Sequence, residues 1–276
     1  MSWPKIKNMI ILILLATNLC LAVFTINRQA QADQIQEQPR NEVIAFLQSK
    51  DIQVQEQIVP DDMLLKPMQV TRDIEQECIL AEMLLGETVA VEARGAGVYR
   101  YFNDNGSIQF HSNGEFSARF YQEGHPLEYN NIEEYSAQML ERIEFDGTLI
   151  RTQKEGEEMV LTYREYWKDA PLFNCQVQMN YKNGTLVSMT GGRRLIGIPE
   201  EVNQREQITV ATALMRFFNG VKELGDACTQ IREITQGYIL TSTITEPIPM
   251  TPVWQIVTDT CVYQLDTLTG QLNRVQ

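Results

Sequence analysis

Met9 to Ile26 (MIILILLATNLCLAVFTI) is a run of 18 residues without charge, glycine or proline, and it constrains the chain more than any other stretch. As a helix rising about 1.5 Å per residue it reaches roughly 27 Å, enough to cross the hydrocarbon of a bilayer. Lys5 and Lys7 precede it, and only Arg28 follows before Asp33 and Glu37. The positive-inside bias therefore places residues 1–8 in the cytoplasm and everything after Arg28 outside the cell. The competing reading is a cleaved signal peptide, since Ala30-Gln31-Ala32 has the small-x-small form of a cleavage site. Against it, the apolar run is longer than the roughly 7 to 15 residues of a signal h-region. The expectation is a retained, single-pass membrane helix over 9–26 and a cell-membrane protein with its C-terminal part extracellular.

Removing Lys5, Lys7 and Arg28 from the 23 basic residues leaves 20 against 36 acidic ones for the extracellular part. A surface that acidic repels phosphate backbones and anionic lipid, which excludes nucleic acid as the expected partner. Cys20 lies in the membrane run, and Cys78, Cys175, Cys228 and Cys261 lie outside it. Their spacing fits neither a zinc knuckle nor a redox CxxC pair, so no metal and no cofactor is implied. Free thiols are the expectation, with Cys228 to Cys261 as the pairing if a bridge forms.

Residues 27–40 are polar and glutamine-rich and read as a juxtamembrane stalk. Beyond them, apolar spacing predicts a helix from Asn41 to Ser49 and a strand from Ile52 to Val59. A second helix is expected from Ile74 to Leu85, stopped by Gly86. Thr88 to Glu92, Val98 to Asn103, Ser107 to Ser112 and Glu115 to Tyr121 then read as strands of an antiparallel meander, with Asn105-Gly106 and Asn113-Gly114 as hairpin signals.

The second half reads as a duplication. Amphipathic helices are expected at Ile132 to Phe145 and Ile208 to Val221, each followed by β-type sequence. Val160-Leu161-Thr162 matches Ile239-Leu240-Thr241, Pro171-Leu172-Phe173 matches Pro252-Val253-Trp254, and Gly184-Thr185-Leu186 matches Gly270-Gln271-Leu272. Pro247, Pro249 and Pro252 mark an exposed loop in this reading. The fold class is α+β: an N-terminal transmembrane helix followed by an ectodomain of repeated helix-on-antiparallel-sheet units, at 41–130, 131–197 and 198–276.

Residues suited to catalysis are few. His111 and His125 are the two histidines, one beside the Asn113-Gly114 turn and one before Pro126. No GxSxG, HExxH or CxxC motif is present. Gly191-Gly192-Arg193-Arg194 lacks the setting of a phosphate loop and reads as a solvated turn. Glu133-Glu134, Glu157-Glu158 and Glu200-Glu201 are carboxylate pairs that so acidic a chain supplies by chance, and Tyr163, Tyr166, Trp167, Phe173, Trp254 and Tyr263 read as strand-packing residues. The expectation is a protein without enzymatic activity.

The opening Trp3-Pro4-Lys5-Ile6-Lys7-Asn8, the Asn18-Leu19 element, and Pro252-Val253-Trp254-Gln255-Ile256 followed by Val262-Tyr263-Gln264-Leu265-Asp266 and Thr269-Gly270-Gln271-Leu272 resemble the YycI family. The units are also similar to PepSY-like helix-plus-sheet modules. The YycI resemblance implies a bitopic regulator that associates with a YycH-like sister protein and with a sensor histidine kinase of the WalK (YycG) kind. It implies adjustment of that kinase and of cell-wall metabolism, and carries no catalytic residues. Pro4 and the four outer cysteines depart from the pattern. On this reading Asn18, with its helical neighbours Leu14, Leu15, Ala22 and Thr25, forms the stripe that faces partner helices, in a homo- or hetero-dimer. The alternative is a PepSY-type module that binds an extracellular peptide or inhibits a protease through an open sheet edge.

Overall fold

The second helix shows how closely local sequence sets these elements. The Asp73 carboxylate accepts the backbone N–H groups of Glu75 and Gln76, each at 3.0 Å, and caps the helix Ile74–Leu85. Gly86 ends it in the left-handed conformation at φ 78°. The computed structural model describes residues 39–275 except 64, 87, 122–131, 193–196, 203–206 and 242–246. The run 9–26, and with it Leu14, Leu15, Asn18, Ala22 and Thr25, lies outside the described residues. Among the described residues no helix is long and apolar enough to cross a membrane.

Among the described residues four helices stand against a mixed β-sheet, which makes the fold α+β. They are α1 (residues 39–48), α2 (Ile74–Leu85), α3 (Ile132–Arg142) and α4 (Val210–Leu224). A short strand β1 (Met68–Val70) precedes α2. Next come β2 (Ala90–Gly95), β3 (Val98–Asn103), β4 (Gly106–Phe110) and β5 (Phe116–Phe120), an antiparallel meander. After α3 the pattern recurs in β6 (Gly147–Glu155), β7 (Glu158–Trp167), β8 (Ala170–Lys182) and β9 (Thr185–Gly191). The two-residue β10 (Glu200–Glu201) pairs with β1, and after α4 a third meander follows as β11 (Ile231–Leu240), β12 (Ile248–Thr258), β13 (Val262–Asp266) and β14 (Leu272–Arg274). One helix and four antiparallel strands thus occur three times in succession.

Pairing of β5 with β9 fuses the first two meanders into eight strands in the order β2-β3-β4-β5-β9-β8-β7-β6. The third joins them through a parallel pairing of β11 with β8, at Tyr238 and Leu172, so the whole is mixed rather than antiparallel throughout. The buried side chains of the strands are mostly apolar, as a sheet with one wet face requires. α2 and α3 bury Leu80, Leu84, Leu85, Met139 and Leu140 against Tyr101, Ile108, Phe110, Leu161 and Val177. α4 buries Val210, Leu214 and Phe217 against Trp254, Ile256, Tyr263 and Leu265. A smaller cluster of Val70, Leu172, Cys175, Tyr238 and Met250 sits where the sheets meet.

Three local expectations differ from the structure. Ile52 to Val59 is not a strand. Gln53 makes one parallel bridge to Gln230 and the chain turns through a 3-10 helix at Glu56–Ile58, because Ile52, Val54 and Val59 serve the α4 core rather than a ladder. Residues 41–130 therefore contribute to two cores, with Ile44, Leu47 and this turn beside α4 and residues from α2 onward in the other. Pro249 and Pro252 lie inside β12, the central strand of the third meander. They fit because a strand residue directs its N–H and C=O to the same neighbour. The Pro249 carbonyl accepts Thr241 just past the end of β11, and the Pro252 carbonyl accepts Thr267 where the neighbour of β12 changes from β1 to β13. Both missing N–H groups thus fall at ladder ends. Finally, the matched triplets occupy β7 against β11 and the start of β8 against β12, whereas Gly184 and Gly270 occupy the same turn, between third and fourth strands.

Candidate functional site

α2 buries one side and leaves a second apolar stripe uncovered. Gln76, Ile79 and Met83 lie on that outer side, with Ile79 44% and Met83 41% exposed. They form one wall of a groove of about 830 Å³, which is partly floored by Leu80 and Ile143. Apolar clefts of this size with a few placed polar groups are where ligands and partner segments bind.

The opposite wall is the hairpin between β7 and β8, which presents Tyr166, Trp167 and Lys168. Lys168 and Asp169 both take left-handed φ, 46° and 67°, as a tight two-residue hairpin demands, although neither is glycine. The Lys168 ammonium lies 5.4 Å from the centre of the Trp167 ring. The end of the groove is the C-terminus of α3. There the N–H of Phe145 bonds the Leu140 carbonyl and that of Glu144 bonds the Glu141 carbonyl, which is a Schellman closure. Glu144 occupies the left-handed position, φ 52°, where glycine is usual, and so holds a carboxylate at the rim. Among the described lining residues Asp73, Asp146 and Glu165 add three more carboxylates, and Lys168 is the single base. Gly197 and Ile198 complete the lining, and Ile198 is 82% exposed.

Behind this wall Arg72 and Glu77 form a buried ion pair. The Arg72 Nε lies 2.5 Å from Glu77 Oε1 and its Nη2 donates to Oε2 at 2.9 Å, while Nη1 donates to the Gly97 carbonyl. Burial first, and Glu77 second, push the Tyr101 phenol above its usual range. This pair ties the entry of α2 to the meander that α2 covers. It positions the groove and does not line it.

The residues singled out from sequence lie elsewhere. His111 follows β4, with its Nε2 3.1 Å from Gln109 Nε2, and His125 falls outside the described residues. His111 does not line the groove, nor does Tyr263. Gly191 ends β9 with Gly192 after it, and Arg193 and Arg194 are outside the described residues. Glu133 and Glu134 open α3, Glu157 and Glu158 lie at the β6–β7 turn, and Glu200 and Glu201 form β10. Tyr163, Phe173, Trp254 and Tyr263 are buried, but Tyr166 and Trp167, read from sequence as packing residues, face the groove. The four described cysteines are free thiols, and burial, followed by Asp259, pushes that of Cys228 up to about 11. Ile79 and Met83 were legible in one respect: Ile74, Cys78, Ile79, Met83 and Leu84 surround α2 with more apolar surface than a one-sided helix needs.

In class, then, the chain is an α+β protein of three helix-and-meander units with an open groove between the first two. No family model matches the sequence, and no curated protein matches it. Among solved structures, an uncharacterized protein from Eubacterium rectale ATCC 33656 is similar at 12% identity, with a TM-score of 0.49 over 79% of this chain and 86% of that one. The Bacillus megaterium YpeB C-terminal domain is similar at 9% identity and a TM-score of 0.38, over 75% of this chain and 99% of that one.

Proposed function

We propose that this protein is a membrane-anchored binding protein without catalytic activity, which acts outside the cell by holding a segment of another protein. The observation that carries this reading is the groove of about 830 Å³, around which Ile79, Met83 and Ile198 stay exposed. A concentration of exposed apolar side chains beside a cleft marks an interaction surface. The resemblance of the sequence to YycI supports the finer reading, in which the partners are a YycH-like sister protein and a WalK-like sensor histidine kinase. The stripe around Asn18 would then add contacts in the membrane. Regulation of this kind needs only unequal affinity for two kinase states, and about 1 to 3 kcal/mol gives a bias of several-fold to a hundredfold.

The test is capture of the intact, tagged protein from detergent-solubilised membranes with identification of what accompanies it. A sensor histidine kinase recovered at near-stoichiometric yield is the expected outcome, and its absence together with any other specific protein would overturn the reading. A second reading, a PepSY-type module that binds a peptide or inhibits a protease, draws on the same groove, whose described lining runs from Asp73 to Ile198. It expects capture of a secreted peptide or protease instead.

A further inference from the structure

We infer that the groove beside α2 receives a cationic, amphipathic segment of a protein partner. This rests on the reading of the chain as a binding protein, and it names the chemistry of the occupant. The uncovered stripe, from the N-cap Asp73 to Met83 of α2, takes ten helical steps and so about 15 Å of helix axis. Ile79 and Met83 stand four apart on it, a ridge of the kind that partner side chains straddle when two helices pack. Met83 adds an adaptable thioether surface. Any occupant must therefore bring apolar side chains to this strip.

Charge then narrows what else it carries. Glu144 and Asp146 stand exposed beside the strip, and Lys168 is the one base among the described lining residues, drawn over the ring of Trp167. Negative charges flanking a low-dielectric strip focus their field along it and favour a partner whose apolar side chains alternate with lysine or arginine. A second copy of this chain is the wrong occupant. A two-fold contact would press the carboxylate rim against itself, between chains of formal charge −13.

The experiment uses the full chain in detergent micelles and three labelled synthetic helical peptides of equal length, followed by fluorescence anisotropy. One carries leucines on one face and lysines on the other, the second replaces lysine by glutamate, and the third replaces leucine by serine. The lysine–leucine peptide should bind at least about tenfold more tightly than either control, the weight of one or two lost anchor contacts. Raising the salt from about 20 to about 500 mM should weaken it several-fold. Ile79→Ser and Met83→Ser should each reduce binding about tenfold, and Asp146→Asn should reduce binding and also its salt dependence. Thermal melting of these variants should match the parent, since each replaced side chain is exposed or half-exposed.

Equal binding of the glutamate peptide, or unchanged binding to Ile79→Ser, would overturn the inference. Repeating the membrane capture with Ile79→Ser separates the two readings. A partner recovered by both parent and variant leaves the binding function standing and removes the groove from it, whereas failure of the parent to recover any partner overturns the function itself.

Discussion

At the scale of single residues, Glu77 is committed to the fold through a buried ion pair. It lies in the first turns of α2 with its side chain 1% exposed, and Arg72 opposite it is 6% exposed. Removing one partner of a buried pair leaves the other without its counter-charge, which costs far more than the pair contributes. Glu77→Gln should accordingly lower unfolding free energy by about 3 to 5 kcal/mol, measured by urea denaturation. A loss below about 1 kcal/mol would mean that water reaches Arg72 in the native state. Nothing in the sequence marked this residue, because one acid among 36 reads as solvent-facing until the tertiary fold brings Arg72 over it.

At the scale of elements, termini were more legible than faces. Asp73 and Gly86 bound α2 where the sequence placed its ends, since capping depends on groups within a few residues. The role of β12 was hidden, because proline counts against a central strand unless the position of each ladder bond is known. The turn from β12 to β13 depends on Asp259, whose carboxylate accepts the Thr229 hydroxyl at 2.6 Å and the N–H groups of Thr229 and Gln230 at 3.1 and 3.2 Å. These bonds, the Thr229 hydroxyl foremost, hold its carboxyl below the usual aspartate range. A depressed folded value makes its stabilisation fully present above the unfolded value of about 4, and lost as pH falls through the lower folded one. Asp259→Asn should therefore lower the melting temperature at neutral pH and flatten its fall below about pH 4, followed by circular dichroism. A parallel downward shift at every pH would show that the carboxylate charge is not involved.

For the whole molecule, the join between the second and third units is the informative feature. The parallel ladder of β8 and β11 is brief, and the side chain of Asn174 prolongs it, donating to the Leu240 carbonyl at 2.7 Å and accepting the Leu240 N–H at 2.9 Å. Asn174→Ala would remove the side-chain partner shared by both backbone groups of Leu240, at about 1 to 3 kcal/mol. Scanning calorimetry should then resolve two transitions where the parent gives one. A single transition at a lower temperature would instead assign Asn174 to one unit alone. The threefold recurrence of helix and meander was only half visible in the sequence. Short apolar triplets suit any strand and so aligned non-equivalent ones, while Gly184 and Gly270, at φ 76° and 71°, matched correctly because the turn imposes the left-handed backbone.

The placement of α1 also decides how mechanical load enters the molecule. Phe46 meets Phe218 of α4 edge to face, with ring centres 5.2 Å apart. Tension applied ahead of residue 39 is thus delivered first to the C-terminal third of the chain, and it passes to the nearer units in sequence across the seam at β8 and through the short connection from β1 to α2.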